Sequence, residues 1–295
     1  MPFFENFKLE MIELPEVTLR VRYGGSGPAL LLLHGHPRTH TTWYKVAPIL
    51  AEHFTVVCPD LRGFGKSSKP ADFNEIEKSS KRAKARDCIA LMSKLGFDKF
   101  NLAGHDRGSY TAFRTAMDYP KSVAKLALMD SIPILEALER CNLSFAKAWW
   151  HWFFYAQQDL PERAILADPI NWYAGTKEAL GGENYEDYLS AITNPETIRG
   201  MLADYRAGIE IDHLHDLKDR EAERKIRCAT HIICSSKDDI KKLFPSIINI
   251  WQSWCEKTIT SEDIESGHHL AEEAPEKLSQ SLIKFFCSPQ KQDPT

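Results

Sequence analysis

The run ALLLLHG (residues 29–35) offers no polar face. A strand built from it needs apolar cover on both sides, as in a parallel sheet flanked by helices. The pattern recurs in TVVCPD (55–60), FNLAGHD (100–106), VAKLALMD (123–130) and CATHIICSS (228–236), apolar runs of strand length. Helix-compatible stretches lie between most of them. WYKVAPILAEHF spaces Trp43, Val46, Ile49 and Leu50 along one face, a second stretch ends at LMSKLG, a third runs through Met117, and FPSIINIWQSWCEK follows the last strand. Strands alternating with helices predict an α/β fold with a mainly parallel, doubly wound sheet. Ahead of it, FKLEMIEL and VTLRVRY alternate apolar and polar residues like half-buried antiparallel strands, and GGSG supplies a turn.

The alternation stops between Ser131 and about Asp216, where strand-like runs vanish, aromatics crowd together in AKAWWHWFFYAQ, and Pro161, Pro169 and Pro195 punctuate short segments. Because a strand returns at Cys228, the simplest topology is a core of residues 1–130 and 217–295 with a helical cap, 131–216, inserted above the sheet. The last residues, SPQKQDPT, read as a frayed tail.

Charge and cysteine content narrow the function classes. With 37 Lys and Arg against 41 Asp and Glu, the net charge of −4 gives no general pull toward nucleic acid. Seven cysteines, odd in number and without a CxxC pair, argue against a disulfide framework or a zinc ribbon and are expected to be buried thiols. Glu5 and Glu10 interrupt the opening segment where a signal peptide needs an unbroken apolar run, and no stretch approaches the length of a membrane span. The expectation is a soluble cytoplasmic protein acting on a small molecule, without nucleic acid or membrane, with a homodimer left open.

Chemistry concentrates in three segments. Strand FNLA runs into Gly104, His105, Asp106, Arg107 and Gly108 and then a helix-compatible stretch, giving GxDxG at a strand-to-helix turn. This has the form of a nucleophile elbow with Asp in place of Ser, and a carboxylate there suits attack on saturated carbon to form an ester. HGHP after LLLL sits where such an architecture supplies a second oxyanion donor, so the backbone N–H groups of His36 and Arg107 are the candidate oxyanion hole. HGHPRTH also superficially resembles a metallohydrolase motif, but it lacks a nearby Asp and is broken by Pro37; neither it nor the HLH of His213–His215 is read as a metal site. Near the C-terminus, SGHHLAEEAPE places His268 directly after Gly267, the candidate base, with His269 lining the pocket or packing. Asp130, ending VAKLALMD, and Asp238, in CSSKDD, compete to orient it.

GHDRG, HGHP, LMDSIP, WHWFF, DYRAG and SGHHLAEEAPE, in this order over nearly the whole chain, resemble the fluoroacetate and haloacetate dehalogenases of the α/β-hydrolase superfamily. The resemblance implies a cofactor-independent catalytic triad of Asp106 as nucleophile, His268 as base and Asp130 as its partner, with His151, Trp152 and Tyr205 holding the departing halide. Trp149, Trp150 and Phe153 would then be cap core. It also implies that Arg107 binds a substrate carboxylate. The family's defluorinating members carry a second such arginine four residues after the nucleophile, where this chain has Tyr110; Arg114, about 6 Å further along the helix, is a doubtful replacement. The expected reaction is release of halide from a short 2-haloacid through an aspartyl ester, with cleavage of C–F bonds not assured. An epoxide hydrolase using Tyr205 and Tyr155, or a non-catalytic relative that binds a small acid, are the rivals.

Overall fold

The computed structural model describes residues 3–289, so the predicted tail beyond Pro289 lies outside the described residues. Eight strands form one sheet: β1 (Lys8–Glu13), β2 (Thr18–Gly25), β3 (Ala29–Leu33), β4 (Thr55–Pro59), β5 (Phe100–His105), β6 (Val123–Met129), β7 (Ala229–Ser235) and β8 (Thr260–Ile264), in the order β1-β2-β4-β3-β5-β6-β7-β8. The β1–β2 hairpin and the β2–β4 pair are antiparallel and the remaining pairs parallel. Alternate leucines of β3 explain its apolar run: Leu31 and Leu33 enter one core and Leu30 and Leu32 the core on the opposite face, all fully buried.

Two local expectations are corrected. WYKVAPILAEHF is not one helix; a single turn at His40–Trp43 precedes a short helix at Ala47–Leu50, with Pro48 in its first turn. β8 is an unpredicted strand, TSEDI, at the sheet edge with all but Ile264 exposed, so its sequence carries no apolar signal. The thiols also differ from expectation: all are free, but Cys141 and Cys287 are exposed and Cys228 is partly so.

Between β6 and β7 the described chain contains helices and no strand, from Ile134–Glu139 through His213–Glu221. The longest stretch runs from Pro195–Ala207 through a π turn at Gly208–Asp212 into His213–Glu221. Among the described residues no helix is long and apolar enough to cross a membrane. The aromatic segment divides into Leu143–Ala148 and Trp150–Tyr155, and its rings do not all become core: Trp150 is 50% and Phe153 37% exposed.

Candidate active site

Five strand ends meet at one cavity of about 250 Å³. His36 follows β3, Asp106 follows β5, Asp130 follows β6, Asp238 and Asp239 follow β7, and His268 and His269 follow β8; Trp149, His151, Trp152 and Tyr205 close it from the cap, with Tyr110 beside them. Convergence at the carboxyl ends of parallel strands is where an open α/β sheet leaves a crevice.

The GxDxG turn is tight enough to need both glycines. A Cβ on Gly104 would lie 2.4 Å from the Gly108 carbonyl oxygen, and one on Gly108 would lie 2.3 Å from that of Leu33. Asp106 itself sits at φ 51°, ψ −120°, a conformation an L-residue adopts only when its surroundings impose it. The His36 N–H donates to Asp106 Oδ1 at 2.7 Å, and Arg107 opens the helix Arg107–Asp118, where the first N–H groups have no intrahelical acceptor. Of the two predicted backbone donors, His36 N–H is bound to the Asp106 carboxylate, and Arg107 N–H lies at the start of the helix that follows it. Oδ2 lies 3.8 Å from His268 Nε2. Burial pushes the Asp106 carboxyl up, but His268, His105, Arg107 and the His36 N–H outweigh it and leave it below its ordinary value.

The other His268 nitrogen decides between the competing acids. Nδ1–H donates to Asp238 Oδ2 at 2.7 Å, whereas Asp130 Oδ2 is 3.9 Å away. The expectation that Asp130 would orient the base is corrected in that respect: its two oxygens accept instead from the backbone N–H of Ser235, at 2.7 Å, and from the Ser235 hydroxyl. Burial raises the Asp130 carboxyl to about 6, while Asp238 lies below the ordinary range because its hydrogen bond and proximity to His268 overcome burial. Burial alone would lower His268, yet Asp238, Asp106 and Asp130 together raise it to about 9.

On the cap side, His151, Trp152 and Tyr205 come together: the His151 and Tyr205 rings are 5.9 Å apart and those of Trp152 and Tyr205 6.5 Å. Burial holds the His151 pKa down to about 4, so near neutrality it is an uncharged donor or acceptor. Tyr155 stacks edge-on against Tyr205, but its hydroxyl accepts from Trp172 Nε1 at 2.9 Å, and it does not line the cavity.

Arg107 departs most from expectation. It is 1% exposed and absent from the cavity lining; Nε donates to Asp204 Oδ2 at 2.5 Å and an NH2 group to the Asp204 carbonyl at 2.9 Å. Its guanidinium lies over the Tyr205 ring at 4.1 Å, and Tyr110 and Trp152 also pack on it. Arg114 is buried as well, bound to Asp216 at 2.7 Å and to Asp219, so it supplies no second arginine.

Asp204, Ser235 and Asp239 are functional neighbours that the sequence reading missed. Asp204 had a signal, since it directly precedes Tyr205 in DYRAG and so lies on the same helix beside a predicted site residue. Trp149, expected in the cap core, lines the cavity and donates Nε1–H to Asp239 Oδ1 at 3.0 Å across the cap–core seam.

The HGHPRTH histidines do not converge as ligands. The His34 ring contacts the Gly35 carbonyl and accepts from the Leu61 N–H, and His40 pairs with Asp60. Among the described residues, His105, Asp130 and His268 form one group spaced to hold a cation, and a cation there would compete with the contacts of His268 to Asp106 and Asp238.

A strand-framed crevice with an acid–histidine pair between a helical cap and the strand ends defines an α/β hydrolase. The profile of the alpha/beta hydrolase fold matches residues 28–275, and the chain belongs to that family. Its resemblance to the haloacetate dehalogenases holds over nearly its whole length: it is 37% identical to a fluoroacetate dehalogenase from Burkholderia sp, covering 96% of this chain and 95% of that one. It is also 30% identical to a soluble epoxide hydrolase from Corynebacterium sp. (strain C12), covering 89% and 91%. Among solved structures, ALR0039 from Nostoc sp PCC 7120 superposes with a TM-score of 0.93 at 36% identity, covering 97% of this chain and 100% of that one.

Proposed function

We propose that the protein is a dehalogenating hydrolase that shares the mechanism of the haloacetate dehalogenases and displaces halide from a short organic substrate through an ester on Asp106. The observation that carries this reading is a strained carboxylate facing His268 at 3.8 Å within a cavity that also presents three neutral polar side chains, His151, Trp152 and Tyr205. The fluoroacetate dehalogenase relative supports the choice of a carbon–halogen bond.

The division of labour follows from the contacts. Asp106 Oδ1 is held by the His36 N–H, so Oδ2 is the oxygen placed to attack carbon as the carbon–halogen bond breaks and the electron pair leaves with the halide. Indole N–H, phenol O–H and imidazole N–H can stabilise that developing anion without carrying a charge of their own. In the free enzyme the Asp106–His268 pair favours protonated His268. Esterification removes the Asp106 charge and one of the interactions that raise His268, easing release of its proton. Neutral His268 then takes a proton from water, which attacks the ester carbonyl. The oxyanion forms on Oδ1, and collapse returns the Asp106 carboxylate and releases an alcohol bearing an oxygen from the enzyme.

His268→Ala incubated with bromoacetate, bromoacetamide or 1-bromopropane should accumulate a stable mass increase mapped to Asp106 and cease turnover. A folded variant that neither gains mass nor releases bromide overturns the reading. Wild-type enzyme turning over once in oxygen-18 water should carry label in Asp106. The soluble epoxide hydrolase relative and the Tyr155–Tyr205 ring contact favour a second reading, ring opening of an epoxide through the same ester. Diol from styrene oxide with no halide release from any halide would replace the first.

A further inference from the structure

We infer that the halogenated substrate of this cavity is uncharged, a short haloamide, haloalcohol or haloalkane, and not a haloacid. The inference rests on the halide-displacement reading and concerns the rest of the substrate. Among the described residues, four carboxylates, Asp106, Asp130, Asp238 and Asp239, line the cavity, and no lysine or arginine does. The single cationic group facing them is His268, already shared between Asp106 at 3.8 Å and Asp238 at 2.7 Å. A substrate carboxylate would enter next to negative charge and give up its water shell with no cation to replace it.

The arginine that would be its partner is committed elsewhere. Arg107, Lys81 and Lys84 all contact the Asp204 carboxylate, and Lys81 also lies 3.6 Å from Asp212. Three cations against two carboxylates leave one positive charge in surplus, but it sits behind the wall formed by Tyr110, Trp152 and Tyr205, whose rings pack on the guanidinium. To bind a substrate anion directly, Arg107 would have to leave a fully buried ion pair, which is costly. The remaining histidines add no charge: burial holds His36 near 3 and His151 near 4, and drives His269 well below its ordinary value. Tyr110, at the position of the missing second arginine, contributes an aromatic face.

The test compares chloroacetamide with chloroacetate, two substrates of nearly equal shape that differ in charge. Chloride release by the intact protein is measured at low and at physiological salt. Each rate is normalised to the reaction of the same compound with acetate in water, and thiol alkylation is removed by subtracting the signal of Asp106→Asn. The expected result is a normalised kcat/KM at least about tenfold higher for the amide, with the acid alone gaining as salt screens the repulsion. Equal or better turnover of the acid overturns the inference. Asp239→Asn keeps an acceptor for Trp149 while removing one charge, and should narrow the ratio; an unchanged or wider ratio also overturns it. If neither compound releases chloride and neither adds mass to Asp106 in His268→Ala, the dehalogenase reading fails, and the inference falls with it.

Discussion

Two acids flank His268, and at the scale of single residues they are not equivalent. Asp238 accepts its Nδ1–H, whereas both Asp130 oxygens are engaged by Ser235. Asp238→Asn should therefore fix the wrong tautomer or turn the ring, slowing ester hydrolysis about a hundredfold or more. Asp130→Asn should cost less than about tenfold, because it alters a longer-range interaction at 3.9 Å. Rapid-quench measurement of the decay of the Asp106 adduct separates this step from alkylation, and the reverse ranking would restore Asp130 as the orienting acid. Both carboxylates were legible in the sequence as strand-end acids. Which one holds the base was not, because that depends on Ser235, a residue with no motif of its own whose position is set by the pairing of β6 with β7. Arg107 is a parallel case: the family resemblance implied a substrate contact, while its hydrogen bonds go to Asp204, distant in sequence.

At the scale of elements, the elbow is a joint closed tightly on both sides. Gly108 packs against the backbone of β3 so closely that a methyl group would also meet the His34 carbonyl oxygen at 2.5 Å. Gly108→Ala should destabilise the protein by about 1–3 kcal/mol, read as a lower urea midpoint with an unchanged slope. A shift within experimental error would show that the helix can back away from β3 without penalty. The elbow, the inner strands and the helical insertion were all readable, since each leaves a periodic or compositional trace. β8 left none because an edge strand facing water is selected for charge. The helix expected at 43–54 failed because its apolar spacing is met equally well by two short turns around Pro48.

For the whole molecule, the coupling of His268 to three carboxylates makes stability depend on pH. Its pKa is raised from 6.5 to about 9 in the folded protein, so the protonated form is bound more tightly when folded. That stabilisation is fully present below about pH 6.5 and is lost as pH rises toward 9, the direction linkage requires when the native state holds its proton longer. Chemical denaturation should show wild-type stability falling across that window, and His268→Gln should flatten the fall. An identical pH dependence in the variant would mean that His268 is not the group responsible.

The buried cluster of Arg107, Lys81, Lys84 and Asp204 joins three separate helices: the one leaving the elbow, Lys81–Lys94, and Pro195–Ala207 of the cap. Lifting the cap at this end would bring several unpaired charges into the open at once, so this end acts as a rivet. Elsewhere the seam is bridged by the Trp149–Asp239 hydrogen bond and by Asp187 and Asn184, which bond to Arg20, Thr39 and Glu272 of the core. Breaking the single Trp149 hydrogen bond uncovers fewer charges than breaking this cluster, so a small molecule meets less resistance at the tryptophan contact than at the riveted end.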